Sequence, residues 1–576
     1  MNHLHVLNLV FPFLCVAAIL LAVFLYKNVR TDERIERFMA AAAPIVILFV
    51  VARIVNESLL APLQIWDTVH LLGAYLLADG KRLFYPEATG PILDMMYGPV
   101  MAISYWPVTL LTRNPAWAAG FAKSVTLFYF LAPSLWLCRR VDRDYPRRRI
   151  FVIYVFLAYL YFAFRSPALA GSAFWIHADA PALGWSGLSC MIIYLKKHRE
   201  SWHWMALSAL FAALGMWTKQ VLFPLPVGLA LYLAITEGAV SVARYFFYFT
   251  GASFLTTCIF CGWFGFDNLW FNLITNPSSQ PWHRDMMKTE GWAIVELMER
   301  LRWPSIVIFL FCVFHRRSNS VEESSSLRDF YDRYRWSLFM LVATLMVPAA
   351  LVGRMRMGGD LNALSFSTYF MALGLLTLAI QFVAANSSTD DYRFGQTFVK
   401  KLMFAYVLSA MLVEVPTLSY YFVCLPKYLH RLETNPASVA YEFSKKHPGV
   451  VYMPWNCLET YLAEGKIYHF EYAIFDRELG NLTPTLEHFR AGLPPGMKYV
   501  GYPFNEQARH VMKYFPDYVF ESTLPELPGW TLYAATQSPG GRFVDPDNGA
   551  PAPQLQLPSR HFLLGPQGAA ATVSER

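Results

Sequence analysis

Runs of apolar residues long enough to cross a bilayer recur along most of this chain, and no other feature restricts its fold as much. A span takes ~20 predominantly apolar residues, because every backbone N–H and C=O in hydrocarbon must be satisfied within its own segment. About twelve stretches meet that criterion, at roughly 4–26, 40–60, 116–138, 150–168, 180–195, 202–218, 221–236, 244–262, 293–314, 336–352, 363–385 and 402–423. Charged residues make up 15% of the chain, against about 25% in soluble domains. The fold expected is therefore mainly α: a polytopic membrane helix bundle of about twelve spans. The first run, Leu4 to Tyr26, lacks a basic start and a small-residue cleavage site. It reads as a retained helix rather than a cleaved signal.

The net charge of +7 is no nucleic-acid signature, because the basic residues sit in short inter-helix loops. Those loops are Lys27 to Arg37, Arg139 to Arg149, Lys196 to Arg199, His315 to Arg335 and Tyr392 to Lys401. Each follows an odd-numbered span, so the positive-inside rule places all of them in the cytoplasm and both termini outside it. The opposite face receives the Asp67 loop, the loop near His177 and Asp179, the Thr218-Lys219-Gln220 turn, Gly262 to Gly291, Arg354 to Asn362, and everything after Leu425.

Four units follow: an extra N-terminal span with its loop (1–39), a transmembrane domain (40–425), a soluble extracytoplasmic α/β domain (426–536) and a disordered tail (537–576). In the α/β domain, helices are expected over Ser438 to Lys446 and Cys457 to Ala463. Strands are expected at Val450 to Met453, Ile467 to Phe470, Lys498 to Tyr502, Tyr518 to Leu524 and Trp530 to Ala534.

The stretch Trp66 to Pro107 is too polar to span and too apolar to float. Leu71, Leu72, Tyr75 and Leu76 fall at helical spacing, and Asp79-Gly80 and Tyr85-Pro86 break the pattern. Amphipathic juxtamembrane helices lying along the membrane surface are expected here, apolar side down. Asp67 then stands where the span 40–60 leaves the bilayer. It is either a plain interface marker or a general base facing a lateral cleft, and the second reading is preferred. Asp94 is a weaker candidate in the same loop.

No nucleotide motif is present, so an activated donor has to arrive through the membrane. Asp179, followed by Pro181, reads equally as a first-turn acid of a helix and as a second site acid beside His177. Lys219 lies between two apolar runs, where a charge costs ~2.5–3.5 kcal/mol on insertion scales, and is expected to meet an anion. Arg354 and Arg356 stand beside Gly358-Gly359, Asp360 and Asn362, as a phosphate site requires. Phe271 to His283 either lines the cleft or is a plain surface loop. Trp455, Asn456, His469, Glu471 and Asp476 are possible acceptor contacts, though ordinary folded-domain roles suit each singly. Cys258 and Cys261 form a CxxC in a membranous context and are read as small apolar residues.

Together these features resemble the GT-C glycosyltransferases, polytopic transferases that use polyprenyl-phosphate sugars. Protein O-mannosyltransferases and the lipid A aminoarabinose transferases are examples. The resemblance covers roughly Ala40 to Tyr420. It rests on WDTVHLLGAYLLADGKRLFYPE with its following YGPV, on HADAPAL, on MWTKQ and on GRMRMGGDLN. It implies a catalytic acid in the first outer loop, matched by Asp67, and a C-terminal outer domain. The chain departs from the pattern in its extra first helix, in Asp67-Thr68 where an acidic pair is usual, and in Tyr97-Gly98-Pro99 where Tyr-Pro-Pro is common.

The expectation is an inverting transferase in the bacterial inner membrane, moving a hexose or pentose from the lipid-phosphate donor to a hydroxyl of a glycan, lipid or protein acceptor outside the cytoplasm. Asp67 is its base, with Asp179 as the second acid. His70, Tyr97, His177, Lys219, Gln220, Arg354, Arg356, Asp360 and Asn362 line the substrates. The chemistry requires neither cofactor nor metal, because phosphate is already a good leaving group. The runner-up is a transporter or flippase of a lipid-linked sugar, using the same cations and aromatics without a base. A non-catalytic membrane scaffold is a third reading.

Overall fold

The structure, a computed structural model, describes residues 32–60, 65–93, 95–144, 149–195, 201–282, 294–299, 301–302, 305, 326–356, 359, 361–384, 400–409, 412, 435–503, 510–522 and 530–535. The expected span 4–26, most of 293–314, Asp94, His283, Asp360 and the tail after Ala535 lie outside the described residues. Every other expected span contains helix, though the described part of 402–423 is short. By length and apolarity, five helices among the described residues qualify as membrane spans, and a sixth if a bent pair counts as one.

The elements that build the site come early in the chain. Helix α1 (Asp32–Val55) continues as a π turn to Leu60. Helix α2 (Ile65–Ala78) ends where Gly80 adopts φ +65°, with Lys81 N–H donating back to Leu76 O at 2.8 Å. That left-handed stop favours glycine and fulfils the break expected at Asp79-Gly80. Helix α3 (Pro99–Thr109) opens on a proline and packs on α2. Helix α4 (Pro115–Asp144) is a long span.

Helix α5 (Arg149–Arg165) and helix α6 (Pro167–Phe174) meet at 97°, the proline allowing no continuation across the break. Helices α7 (Asp179–Leu195) and α8 (Trp202–Thr218) then pair antiparallel through a shared apolar core. Ala239–Phe264 keeps only 11% of its apolar window inside the protein, whereas 83% of Leu361–Gln381 is inside. The first helix is therefore rim and the second is centre.

The C-terminal unit carries helices α9 (Pro436–Lys446), α10 (Cys457–Glu464), α11 (Glu471–Leu479) and α12 (Leu486–Ala491). Its four strands are β1 (Val451–Tyr452), β2 (Tyr499–Pro503), β3 (Tyr518–Ser522) and β4 (Trp530–Ala535), in the order β1-β2-β4-β3. β1 runs parallel to β2 and the other pairs are antiparallel. Ile467 to Phe470, expected as a strand, is extended but pairs elsewhere. Phe470 N–H donates to Ile92 O at 2.8 Å, in the segment that follows α2.

That pairing belongs to a wider weld. Ile92 N–H donates to His469 Nδ1 (2.8 Å), His488 Nε2 reaches Gly90 O (2.7 Å) and Arg477 donates to Glu87 O (2.8 Å). His469 accepts at Nδ1, so its proton sits on Nε2 and goes to Phe489 O at 2.9 Å. Burial holds this imidazole down at about 4, as an accepting ring requires. Trp66, at the start of α2, meets Trp455, Phe470 and Tyr472 edge-on, each such pair adding ~0.5–1.5 kcal/mol beyond its area. Leu71, Leu72, Tyr75 and Leu76 consequently face protein, each fully buried in a core that α2, α3 and α4 share with the C-terminal unit. This corrects the expected placement on the membrane surface: the apolar face of α2 is covered by other helices instead of lipid.

Glu459 on α10 is fully buried in that unit, which packs on α2. Neither carboxyl oxygen accepts a well-aligned hydrogen bond, with Thr68 and Asn456 as polar neighbours. Burial raises its carboxyl from 4.5 to about 7. The folded chain thus holds a proton that the unfolded chain releases, and stability falls as pH rises from 4.5 towards 7. Glu459→Gln mimics the protonated form. Its gain in thermal stability over wild type should grow across that window and stay constant above it, measured on the full chain in detergent. A gain independent of pH between 5 and 9 would show that Glu459 does not titrate there.

Candidate active site

The C=O and N–H of one peptide residue organise the site. Ile176 lies between α6 and α7, and α2 holds both its polar groups. Its N–H donates to Asp67 Oδ1 at 2.9 Å, and its carbonyl accepts from His70 Nδ1 at 3.0 Å. Asp67 and His70 are three residues apart, so both project from one face of α2. The hydrogen bond fixes the His70 tautomer with its proton on Nδ1. Burial first, and His177 second, push this imidazole well below its ordinary value, so it is neutral.

Asp67 has no exposure, and its second oxygen lies 3.5 Å from Lys123 Nζ on α4, itself buried. This departs from the expectation of an acid at an open lip. Both oxygens are engaged, one by a peptide and one by a buried ammonium. Lys123 was missed from sequence, although its signal was legible: a lone charge within an apolar span is costly and calls for a partner. Tyr105 on α3 was missed too. Its hydroxyl meets Thr126 at 2.8 Å and donates to the His177 carbonyl at 3.0 Å.

The residue after this clamped peptide is His177. Its Nε2 lies 2.8 Å from the Tyr97 hydroxyl, and its Nδ1 lies 2.9 Å from Asp179 Oδ2. The second contact is out of line for a hydrogen bond. Asp179 is the first residue of α7 and almost wholly buried. Its oxygens take Lys219 Nζ at 2.5 Å and Asn362 Nδ2 at 2.7 Å. Asp179 thus both opens a helix and meets His177, Lys219 and Asn362.

Lys219 reaches this spot because its backbone is extended between two helices. α8 stops at Thr218, and Pro224 starts the next helix, Pro224–Thr236. The ammonium sits 5.2 Å from the ring centres of both Tyr97 and Phe366. Gly98 lets the Tyr97 segment approach: its N–H donates to Thr218 O (3.2 Å), and an added Cβ would stand 1.7 Å from Trp217 O. Gln220 ties the two sides together, donating to Met96 O (3.2 Å) and Leu273 O (3.3 Å).

Of the residues expected to line the site, Asp67, His70, Tyr97, His177, Asp179, Lys219 and Asn362 come together, with Gln220 bracing them. Arg354 and Arg356 do not join. Arg354 pairs with Glu296 at 2.9 Å and donates to Gly359 O, while Arg356 donates to Ser278 O and Gln280 O and stacks on Trp282 at 4.5 Å. Their loop places Asn362, and the arginines hold that loop. Phe271 to Trp282 is largely helical and buttresses the first loop, Asn272 donating to Tyr85 O. Among the described residues no group of three or more acids, histidines and cysteines could hold a metal ion.

Fold and contacts together define an integral membrane protein with a half-buried ion cluster where the ends of α7 and α8 meet. No protein-family model matches the chain, and no curated protein sequence does. Two solved structures are similar in fold. One is ArnT from Cupriavidus metallidurans bound to undecaprenyl phosphate, at 11% identity and TM-score 0.46, covering 88% of this chain and 99% of that one. The other is the same protein in the apo state, at 13% identity and TM-score 0.40, covering 86% and 98%. At those values the likeness decides neither activity nor substrate.

The Asp67–Lys123 pair yields a stability test. Removing one member of a buried pair costs roughly 3–5 kcal/mol, whereas replacing both is far milder. Lys123→Met should lower the unfolding midpoint of the detergent-solubilised chain strongly, and Asp67→Asn in the same chain should recover most of the loss. If the two losses simply add, the pair is not coupled.

Proposed function

We propose that this protein is an integral-membrane glycosyltransferase that moves a sugar from a polyprenyl-phosphate donor to an acceptor hydroxyl outside the cytoplasm. The observation that carries the reading is the half-open Lys219–Asp179 pair. Asp179 is closed off, yet Lys219 is 15% exposed, and among the described residues its ammonium makes one hydrogen bond. An ammonium has three donors, so two remain for an incoming anion. The rings of Tyr97 and Phe366, each 5.2 Å from the ammonium, suit a sugar or lipid phosphate arriving from the bilayer side. The basic loops of the sequence support a placement of this end of the bundle outside the cytoplasm, and the setting proposed is a bacterial inner membrane.

In the reaction the acceptor oxygen attacks the anomeric carbon. The bond from that carbon to the phosphate oxygen breaks, and its electron pair leaves with the lipid phosphate beside Lys219. A single displacement inverts the anomeric centre. Arg354 and Arg356 are left out of the proposed phosphate site because they stand apart from the Lys219 cluster, Arg354 held by Glu296 and Gly359 O and Arg356 by two backbone carbonyls and the Trp282 ring. Asp67 is assigned a positioning role in place of the base role expected of it: it has no exposure and both oxygens are committed. The donor sugar is a hexose or pentose, and the acceptor a glycan, lipid or protein.

Cells lacking the gene should accumulate a polyprenyl-phosphate sugar and lose one surface glycoconjugate, read by mass spectrometry of lipid extracts. Wild type should reverse both changes. Lys219→Gln, at equal expression, should leave donor consumption lowered by ~10²-fold, the usual effect of removing one charge-stabilising donor. An unchanged lipid profile in the deletion strain would rule the transferase out.

A further inference from the structure

Tyr97 is half-buried and borders a water-sized space of about 10 Å³ together with His70, Met95 and Gly98. His177 is not part of that lining and sits behind Tyr97, its Nε2 on the tyrosine hydroxyl at 2.8 Å. Behind His177 stands Asp179, and behind Asp179 stand Lys219 and Asn362. From the Tyr97 hydroxyl a chain of two polar contacts runs through His177 to a buried negative charge.

We propose that Tyr97 is the catalytic group that receives the acceptor's proton and relays it to His177, with Asp179 stabilising the imidazolium that results. This rests on the transferase reading above. As the acceptor oxygen forms its bond to the anomeric carbon, its proton passes to the Tyr97 oxygen. The Tyr97 proton passes to His177 Nε2, and the anomeric carbon's bond to phosphate breaks with both electrons on the leaving oxygen. Tyrosine ends as it began, the imidazole has gained one proton, and the phosphate has gained one negative charge. His177 later gives its proton to water. The positive charge formed on the ring lies within 2.9 Å of a carboxylate whose desolvation is already complete.

His177 is held for this task. Asp67 and His70 grip the preceding peptide, and Tyr105 holds the His177 carbonyl. Asp67 and Tyr105 are positioning residues, because they act through the segment, whereas His70 also borders the space beside Tyr97. The titratable groups that face His177 are His70 on α2, Tyr97, Tyr105 on α3 and Asp179 on α7, with Lys219 beyond Asp179 and the Asp67–Lys123 pair behind Ile176. Burial holds His70 neutral, so His177 is the imidazole that takes the proton in this scheme.

The test uses the full chain in lipid vesicles and, as donor, the polyprenyl-phosphate sugar extracted from cells lacking the gene. Release of polyprenyl phosphate is followed between pH 5 and 9. Tyr97→Phe and His177→Gln should each lower kcat by about 100-fold with donor KM changed less than about threefold, the usual scale of one proton-transfer group. The double variant should be no worse than either single within about threefold, as for residues that act as a unit. The acid limb of the wild-type pH profile should vanish in His177→Gln. Tyr97→Phe retaining activity within about threefold of wild type, or penalties that multiply in the double variant, overturns the relay. The pH profile of His177→Gln keeps the proposal falsifiable should Tyr97→Phe fail to fold. A wild-type chain that consumes no donor overturns the transferase reading itself, which is a separate result.

Discussion

Everything at the site depends on two buried carboxylates that are never left unpaired. A carboxylate taken out of water is tolerated only when charges and hydrogen-bond donors replace its hydration. Asp67 finds a peptide N–H and Lys123, and Asp179 finds Lys219, Asn362 and His177. These partners come from four separate stretches of chain. Satisfying the two acids therefore assembles the site, and the short segment Ile176 to Ala178 between them has little freedom left. His177 owes its position to that constraint more than to any packing of its own ring.

The C-terminal unit belongs to the same construction. Its histidines and Arg477 spend their hydrogen bonds on the backbone of residues 87–92, a segment with no regular structure to satisfy its own polar groups. Its aromatic residues surround Trp66, one residue before Asp67. The loop that carries α2 is thereby held between the bundle and the C-terminal sheet, and α2 is stiff enough to grip Ile176. Candidate acceptor contacts such as His469 and Asp476 are used in this weld: the His469 ring is buried against Phe489, and the Asp476 carbonyl accepts from Gln280.

Much of the site was legible because charge inside an apolar chain needs a reason. Asp67, Asp179 and Lys219 stood out on those grounds, and the same rule applied to Lys123 within its span would have supplied the missing partner. Arg354 and Arg356 misled for the opposite reason. Arginines beside glycines suit a phosphate, but they suit backbone carbonyls and a glutamate equally well, and sequence does not say which is within reach. The α2 face shows a similar ambiguity. Leu71, Leu72, Tyr75 and Leu76 have the spacing of a helix with one apolar side, and that pattern is identical whether the apolar partner is lipid or protein.

The sequence by itself determined that the chain is a helical membrane protein, where most helices begin and end, and that a compact α/β unit follows them. Those properties depend on residues near each other in the chain: apolar run length, prolines, a left-handed glycine and alternating strand patterns. Only the tertiary structure decided that the two acids have different partners, Asp67 meeting Ile176 N–H and Lys123, and Asp179 meeting Lys219, Asn362 and His177. It also brought the Tyr97 hydroxyl to His177 Nε2. Contacts of that kind depend on which groups meet across distances of forty residues or more, and hydrogen bonding in a desolvated interior is set by those meetings rather than by local pattern.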